Sequence, residues 1–194
     1  MKTISLVYIS LSGNTESFVT RLKDYLLSQY KGIEVQKIHI KDLVKEGKNF
    51  YEMDHPYVAF LPTYLEGGNG VDNGDVEILT TPVGDFIAYG NNASKCFGVV
   101  GSGNRNFNNQ YCLTAKQYSQ RFGFPVLADF EMRGMLEDIK HVAAIIADLY
   151  ELEKENLYSM KIKEQTRKLV AGCSKHSFEV ADRADVVSRD SRIV

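Results

Sequence analysis

The chain has no tryptophan, and only four prolines and three cysteines in 194 residues. Cys96, Cys112 and Cys173 are odd in number and share no C-x-x-C spacing, so neither a disulfide framework nor a thiolate metal site is indicated, and a reducing, cytoplasmic setting is expected. Charge of one sign is also lacking. The 23 Lys and Arg nearly balance the 25 Asp and Glu, and the formal charge of −2, with no long basic run, gives no electrostatic reason to expect nucleic acid. No window approaches the roughly 18 apolar residues of a membrane span. The apolar run over residues 4–9 is interrupted by Ser10 and Ser12 and has no A-x-A cleavage pattern, which makes it a strand and not a leader.

Two nucleotide-binding signatures are missing as well. The G-x-x-x-x-G-K-[ST] loop of nucleoside triphosphatases is absent, as is the G-x-G-x-x-G turn of dinucleotide folds, and no Lys or Arg lies between Lys2 and Arg21. What does stand after the first apolar run is Ser10-Leu11-Ser12-Gly13-Asn14-Thr15, leading into a helical pattern that begins at Thr15. A strand that turns through Gly and small hydroxyl residues into a helix start leaves several N–H groups without intrahelical partners. The helix dipole adds about 0.3–1 kcal/mol of preference for an anion there, and Ser10, Ser12 and Thr15 carry hydroxyls. An uncharged cradle of this kind suits one terminal phosphate.

The remaining pattern is strand and helix in alternation. Residues 3–9 form a continuous apolar run, as in a strand covered on both faces. Phe18, Val19, Leu22, Tyr25 and Leu26 recur at helical spacing until Lys31-Gly32. Residues 33–40 alternate as an edge strand, 41–56 are charged and aperiodic and read as a connection, and 57–61 are a third apolar run. A glycine-rich passage with Gly67, Gly68, Gly70 and Gly74 follows, then a helix opened by Pro82. Strands over 96–101 and 125–130 enclose a Gly/Asn loop at 102–110 and a helix at 111–122, and the stripe Ile139, Val142, Ala143, Ile146, Leu149 marks a last helix to about residue 154. Five strands alternating with helices predict an α/β, doubly wound five-stranded parallel sheet, and the resemblance of Ser10-Leu11-Ser12-Gly13-Asn14-Thr15 to the phosphate loop of flavodoxins implies the flavodoxin-like order 2-1-3-4-5. That order places a ligand at the carboxyl ends of strands 1, 3 and 4, where the three Gly-rich loops fall.

The wording of these loops resembles known proteins. S-x-S-G-N-T resembles the flavodoxin loop that holds the phosphate of flavin mononucleotide (FMN). Together with P-T-Y-x-x-G-G at 62–68, G-S-G-N-R-N-F at 101–107 and F-E-M-R-G at 130–134, it is similar to the NrdI family, flavodoxin-like proteins that serve class Ib ribonucleotide reductase. The resemblance covers about residues 1–155. It implies FMN contacts at Ser10, Ser12, Gly13, Asn14 and Thr15, at Thr63, Tyr64, Gly67 and Gly68, and at Ser102, Gly103, Asn104, Asn106 and Phe107, with Tyr111 and Cys112 just beyond. Leu65-Glu66 makes the second loop longer than in many members. Tyr64 can stack on the ring, Phe107 or Tyr111 can cover its other face, and the amides of Asn104 and Asn106 can bond its pyrimidine-like end. Glycines let backbone approach the flavin N5 closely.

The family resemblance also implies a reaction. Reduced flavin, supplied with electrons by a separate reductant, passes one electron to O₂, and superoxide reaches the small, radical-generating subunit of the reductase. Such redox chemistry belongs to the cofactor, and no acid/base dyad or nucleophile–His pair stands out in the chain. A general one-electron-carrying flavodoxin is the alternative, although many of those are strongly acidic and stack a tryptophan. A non-redox phosphate-ligand module is a third reading. A receiver domain is excluded, because Ser10 and Ser12 stand where paired acids would be needed. His39, His55 and His141 read as surface or capping residues. Residues 156–194 are polar, mixed in charge and without sustained period, and are expected to form a C-terminal extension, exposed or disordered.

Overall fold

In the computed structural model, residues 1–71 and 74–153 are described. The sheet is built on β1 (Lys2–Tyr8), which pairs in parallel with β2 (Ile33–His39) on one side and β3 (Tyr57–Pro62) on the other. β3 then pairs with β6 (Cys96–Gly103), and β6 with β7 (Val126–Glu131), all parallel. Two further strands, β4 (Leu65–Glu66) and β5 (Val76–Glu77), form a separate antiparallel pair. The main sheet runs β2-β1-β3-β6-β7. Counting only its own strands, that is the expected 2-1-3-4-5.

Parallel neighbours must be joined by crossovers, here α1 (Asn14–Gln29), α3 (Thr81–Ala88) with the short α4 (Asn92–Lys95), and α5 (Leu113–Phe122), while α6 (Leu136–Leu149) closes the fold. The two-residue period of β1 shows how both faces are used. Ile4, Leu6 and Tyr8 join one buried cluster with residues of α1 and α6, whereas Val7 and Ile9 join another with residues of α3 and α5. Phe18 of α1 is fully buried and stacks on Phe130 of β7 with centroids 3.7 Å apart, and it also meets Phe60 of β3 at 6.2 Å. One side chain thus ties the first helix to the last strand.

The structure departs from the sequence reading in several short elements. Residues 40–45, assigned to the end of a strand and a connection, form the helix α2 (Ile40–Lys45). Only Ile40 of that helix is buried, so it carries no apolar repeat by which it could be recognised. The rest of the connection is anchored through buried Asn92, whose Oδ1 accepts from the Met53 N–H and whose Nδ2 donates to the Tyr51 and Phe86 carbonyls. The glycine-rich passage contains the β4–β5 hairpin, the Gly/Asn loop contains a 3₁₀ helix (Arg105–Gln110), and α6 ends at Leu149 rather than near 154. The extension expected over 156–194 lies outside the described residues.

Replacing Phe18 by Ala removes the ring that joins α1, β3 and β7. A loss of about 3–5 kcal/mol of folding stability is expected, measured by denaturant unfolding.

Candidate functional site

Because all five strands point the same way, the loops after β1, β3 and β6 leave one edge of the sheet together, and they enclose a groove of about 280 Å³. Ser12, Asn14 and Thr15 contribute from the first loop, Thr63 and Tyr64 from the second, and Ser102, Gly103, Asn104 and Phe107 from the third. These predicted residues therefore share one wall system. Leu11, Pro62, Leu65, Gln110 and Met132 line it as well, and sequence reasoning did not select them.

The first loop is shaped by backbone geometry. Gly13 takes a left-handed conformation (φ 82°) at the N-cap of α1 and has no side chain with which to cap the helix. Ser10 Oγ accepts the N–H of Glu16, and the Ser17 N–H bonds the Gly13 carbonyl. Ser10 is buried and turned toward the helix instead of lining the groove. The N–H groups of Gly13, Asn14 and Thr15 fall among the first four of the helix, which have no intrahelical acceptor.

His39 buttresses the same turn, a role not anticipated from its place at a strand end. Its Nε2 accepts the Ser10 N–H at 3.2 Å, its Nδ1 lies 2.9 Å from Asp42 Oδ2, and its ring stacks flat on Tyr8 at 4.6 Å. An acceptor at Nε2 leaves the proton on Nδ1, facing the carboxylate. Burial, with the Glu16 and Asp42 charges adding to it, pushes the Tyr8 phenol up to about 12.

The other two loops are bonded to each other. The Thr63 N–H donates to the Ser102 carbonyl at 2.9 Å, and buried Thr15 and Ser102 bring their hydroxyls within 3.4 Å. Tyr64 is half-buried, and its hydroxyl donates to Ser12 Oγ at 3.3 Å, so the second loop leans on the first. Gln110 Nε2 donates to the Gly67 carbonyl at 3.0 Å and to Asp75 Oδ1, which links the 3₁₀ helix to the hairpin. Gly70 (φ 78°) lies so close to this helix that an added Cβ would fall 2.5 Å from the Asn109 carbonyl carbon.

Several predicted residues stand off the groove. Gly67 and Gly68 are exposed on the hairpin loop, and Asn106 is exposed with its N–H bonded to Asn104 Oδ1. Tyr111 donates its hydroxyl to Asp129 at 2.7 Å and lies under the Arg105 guanidinium, so it does not line the wall. Cys112 is the buried, left-handed N-cap of α5, packed beneath Gly101 and Gly103. Burial pushes its thiol up to about 12, which keeps it protonated and unreactive at neutral pH.

The segment after β7 reaches across to the first loop. The Met132 N–H bonds the Gly103 carbonyl, and Arg133 Nε donates to Asn14 Oδ1 at 3.1 Å. The first loop carries no cation of its own, yet the fold brings one to it. Among the described residues no group of His, Cys, Asp and Glu is placed to hold a metal, and no helix is long and apolar enough to cross a membrane.

A parallel 2-1-3-4-5 sheet with its groove at the carboxyl edge is a flavodoxin-like architecture. A solved short-chain flavodoxin associated with a PDU bacterial microcompartment has the same fold, with a TM-score of 0.53 at 19% identity over 75% of this chain and 95% of that one. Within that class the chain belongs to the family described as NrdI flavodoxin like, which it matches over residues 6–144. An NrdI-like protein of Streptococcus pneumoniae is 99% identical over 156 residues, covering 80% of this chain and 100% of that protein. The NrdI protein of Rhodococcus erythropolis is 35% identical over 156 residues, covering 78% and 89%.

The unsatisfied groups of the groove fit a phosphorylated flavin. Thr63 Oγ1 is shielded from water without a hydrogen-bond partner, and the free N–H groups at the start of α1 are the donors an anion requires. Tyr64, Leu65 and Phe107 give the groove the apolar and aromatic wall that a flat ring system needs.

Gln110→Leu removes the two bonds that Gln110 makes to the hairpin, to the Gly67 carbonyl and to Asp75. Amide exchange at residues 67–70 is expected to accelerate several-fold in this variant, with the β1 and β3 amides unchanged, as read by hydrogen–deuterium exchange.

Proposed function

We propose that the chain binds FMN in this groove and, with the flavin reduced, activates the small, radical-generating subunit of a class Ib ribonucleotide reductase. The observation that carries the proposal is the meeting of all three Gly-rich loops on one groove at the carboxyl edge of the sheet. Membership of the NrdI flavodoxin-like family supports it. A flavin held here, reduced by a separate reductant, would supply the redox chemistry, one-electron reduction of O₂ to the superoxide that oxidises the manganese site of the reductase subunit.

The chain's own residues bind and orient. The N–H groups of Gly13, Asn14 and Thr15, with the hydroxyls of Ser12 and Thr63, take the phosphate, an anion at a helix N-terminus. Tyr64, tethered by its hydroxyl to Ser12, would stand beside the ring. Gly103 and Asn104 line the groove and would meet the polar end of the ring. Phe107 is 62% exposed and Met132 51% exposed, so the outer rim of the groove is apolar yet open, which suits entry of a small apolar oxidant. No proton transfer by a side chain is needed.

Reconstitution of the purified chain tests the proposal. It is expected to take up FMN one-to-one, to form superoxide when its reduced form meets O₂, and to activate a manganese-loaded reductase subunit. Stable, reversible one-electron cycling without effect on that subunit would identify a general electron carrier. A chain that stays colourless would identify a non-redox module.

A further inference from the structure

The geometry points to Arg133 as a specificity-determining residue of this site, its guanidinium reading the phosphate charge of the ligand. The inference rests on the proposed flavin site and adds to it a cation that the first loop lacks.

Arg133 does not hang free at the surface. Its Nε donates to Asn14 Oδ1 at 3.1 Å, and Asn14, the first residue of α1, lines the groove. An Asn at a helix start commonly caps its own helix. Here Gly13 holds the cap position, and the side-chain oxygen of Asn14 accepts from the guanidinium. The backbone behind Arg133 is fastened to the same helix, because Arg21 Nη2 donates to the Arg133 carbonyl and, at 3.1 Å, to that of Gly134. Gly134 makes this close approach possible. Its φ is +66°, and a Cβ there would lie 2.6 Å from Phe18 Cδ2.

Among the described residues the remaining guanidinium donors have no protein acceptor. No carboxylate among the described residues lies within ion-pair distance of Arg133, whereas Arg105, also exposed, faces Asp129 and Glu131 at 4.0 and 3.9 Å. Arg133 is not itself among the residues lining the groove, but its bond to Asn14, which is, holds the guanidinium at the groove's edge beside the first turn of α1. Arginine matches phosphate through paired N–H donors. Riboflavin, without the phosphate, offers the guanidinium hydroxyl oxygens but no anion, so the arginine favours FMN over riboflavin.

Equilibrium titrations with FMN and riboflavin, on the wild-type chain and on Arg133→Gln and Arg133→Lys, test this. Arg133→Gln is expected to weaken FMN on the order of tenfold and to flatten the salt dependence of its Kd, with riboflavin changed less than about twofold. Arg133→Lys is expected to recover part of the FMN affinity, because it keeps the charge. Unchanged FMN binding in Arg133→Gln overturns the inference, and so does equal weakening of both flavins, which would mean that the residue only positions the loop. Wild-type FMN binding beside either of those results leaves the flavin site standing. A wild-type chain that binds neither flavin overturns the site and the inference together.

Discussion

The parallel ladder is the constraint on which the rest depends. Hydrogen bonds between strands of one direction oblige the chain to leave each strand at the same edge and to return through a helix on one face or the other. The carboxyl edge therefore collects the ends of β1, β3 and β6 side by side, and the backbone there has to find partners outside the sheet. The loops partly satisfy one another, through the Thr63 N–H on the Ser102 carbonyl and Gln110 on the Gly67 carbonyl. What they leave over, the first N–H groups of α1 and the Thr63 hydroxyl, is the donor set of the candidate site.

Support for that set comes from both flanks. On one side His39, stacked on Tyr8 and facing Asp42, accepts the Ser10 N–H and fixes where β1 ends. On the other, the Phe18–Phe130 stack draws α1 against β7, and the chain beyond β7 is turned back onto α1 by Gly134 and held there by Arg21. The same packing that buries the core thus delivers Met132 to the groove wall and Arg133 to Asn14. Membership of the NrdI flavodoxin-like family agrees with this architecture, and the chemistry proposed for the groove asks only for binding and orientation from the protein.

The strands, the helices and the three loops were legible in the sequence because they depend on local signals, while the order of the strands followed from the resemblance to flavodoxins. Continuous apolar runs mark strands covered on both faces, a 3.6-residue stripe marks the helices, and Ser and Gly clusters mark the turns. The unread parts depend on long-range contacts or on elements too short to carry a period. β4 and β5 have two residues each, and α2 buries only Ile40. Gln110 reaches Gly67, and Arg133 reaches Asn14 across 119 positions, contacts that no spacing rule anticipates. Ser10 and Tyr111 have residue types suited to ligand contact, yet the fold turns their side chains to the Glu16 N–H and to Asp129.

The central claim is that the turn after β1 holds the phosphate while the loops after β3 and β6 flank the ring. Comparing ¹H–¹⁵N correlation spectra of the chain before and after addition of FMN tests it most directly. The account predicts the largest amide shifts at residues 12–15, 63–65 and 102–107, with the β2 and α6 amides unmoved. Shifts concentrated elsewhere, or none in residues 12–15, would contradict it.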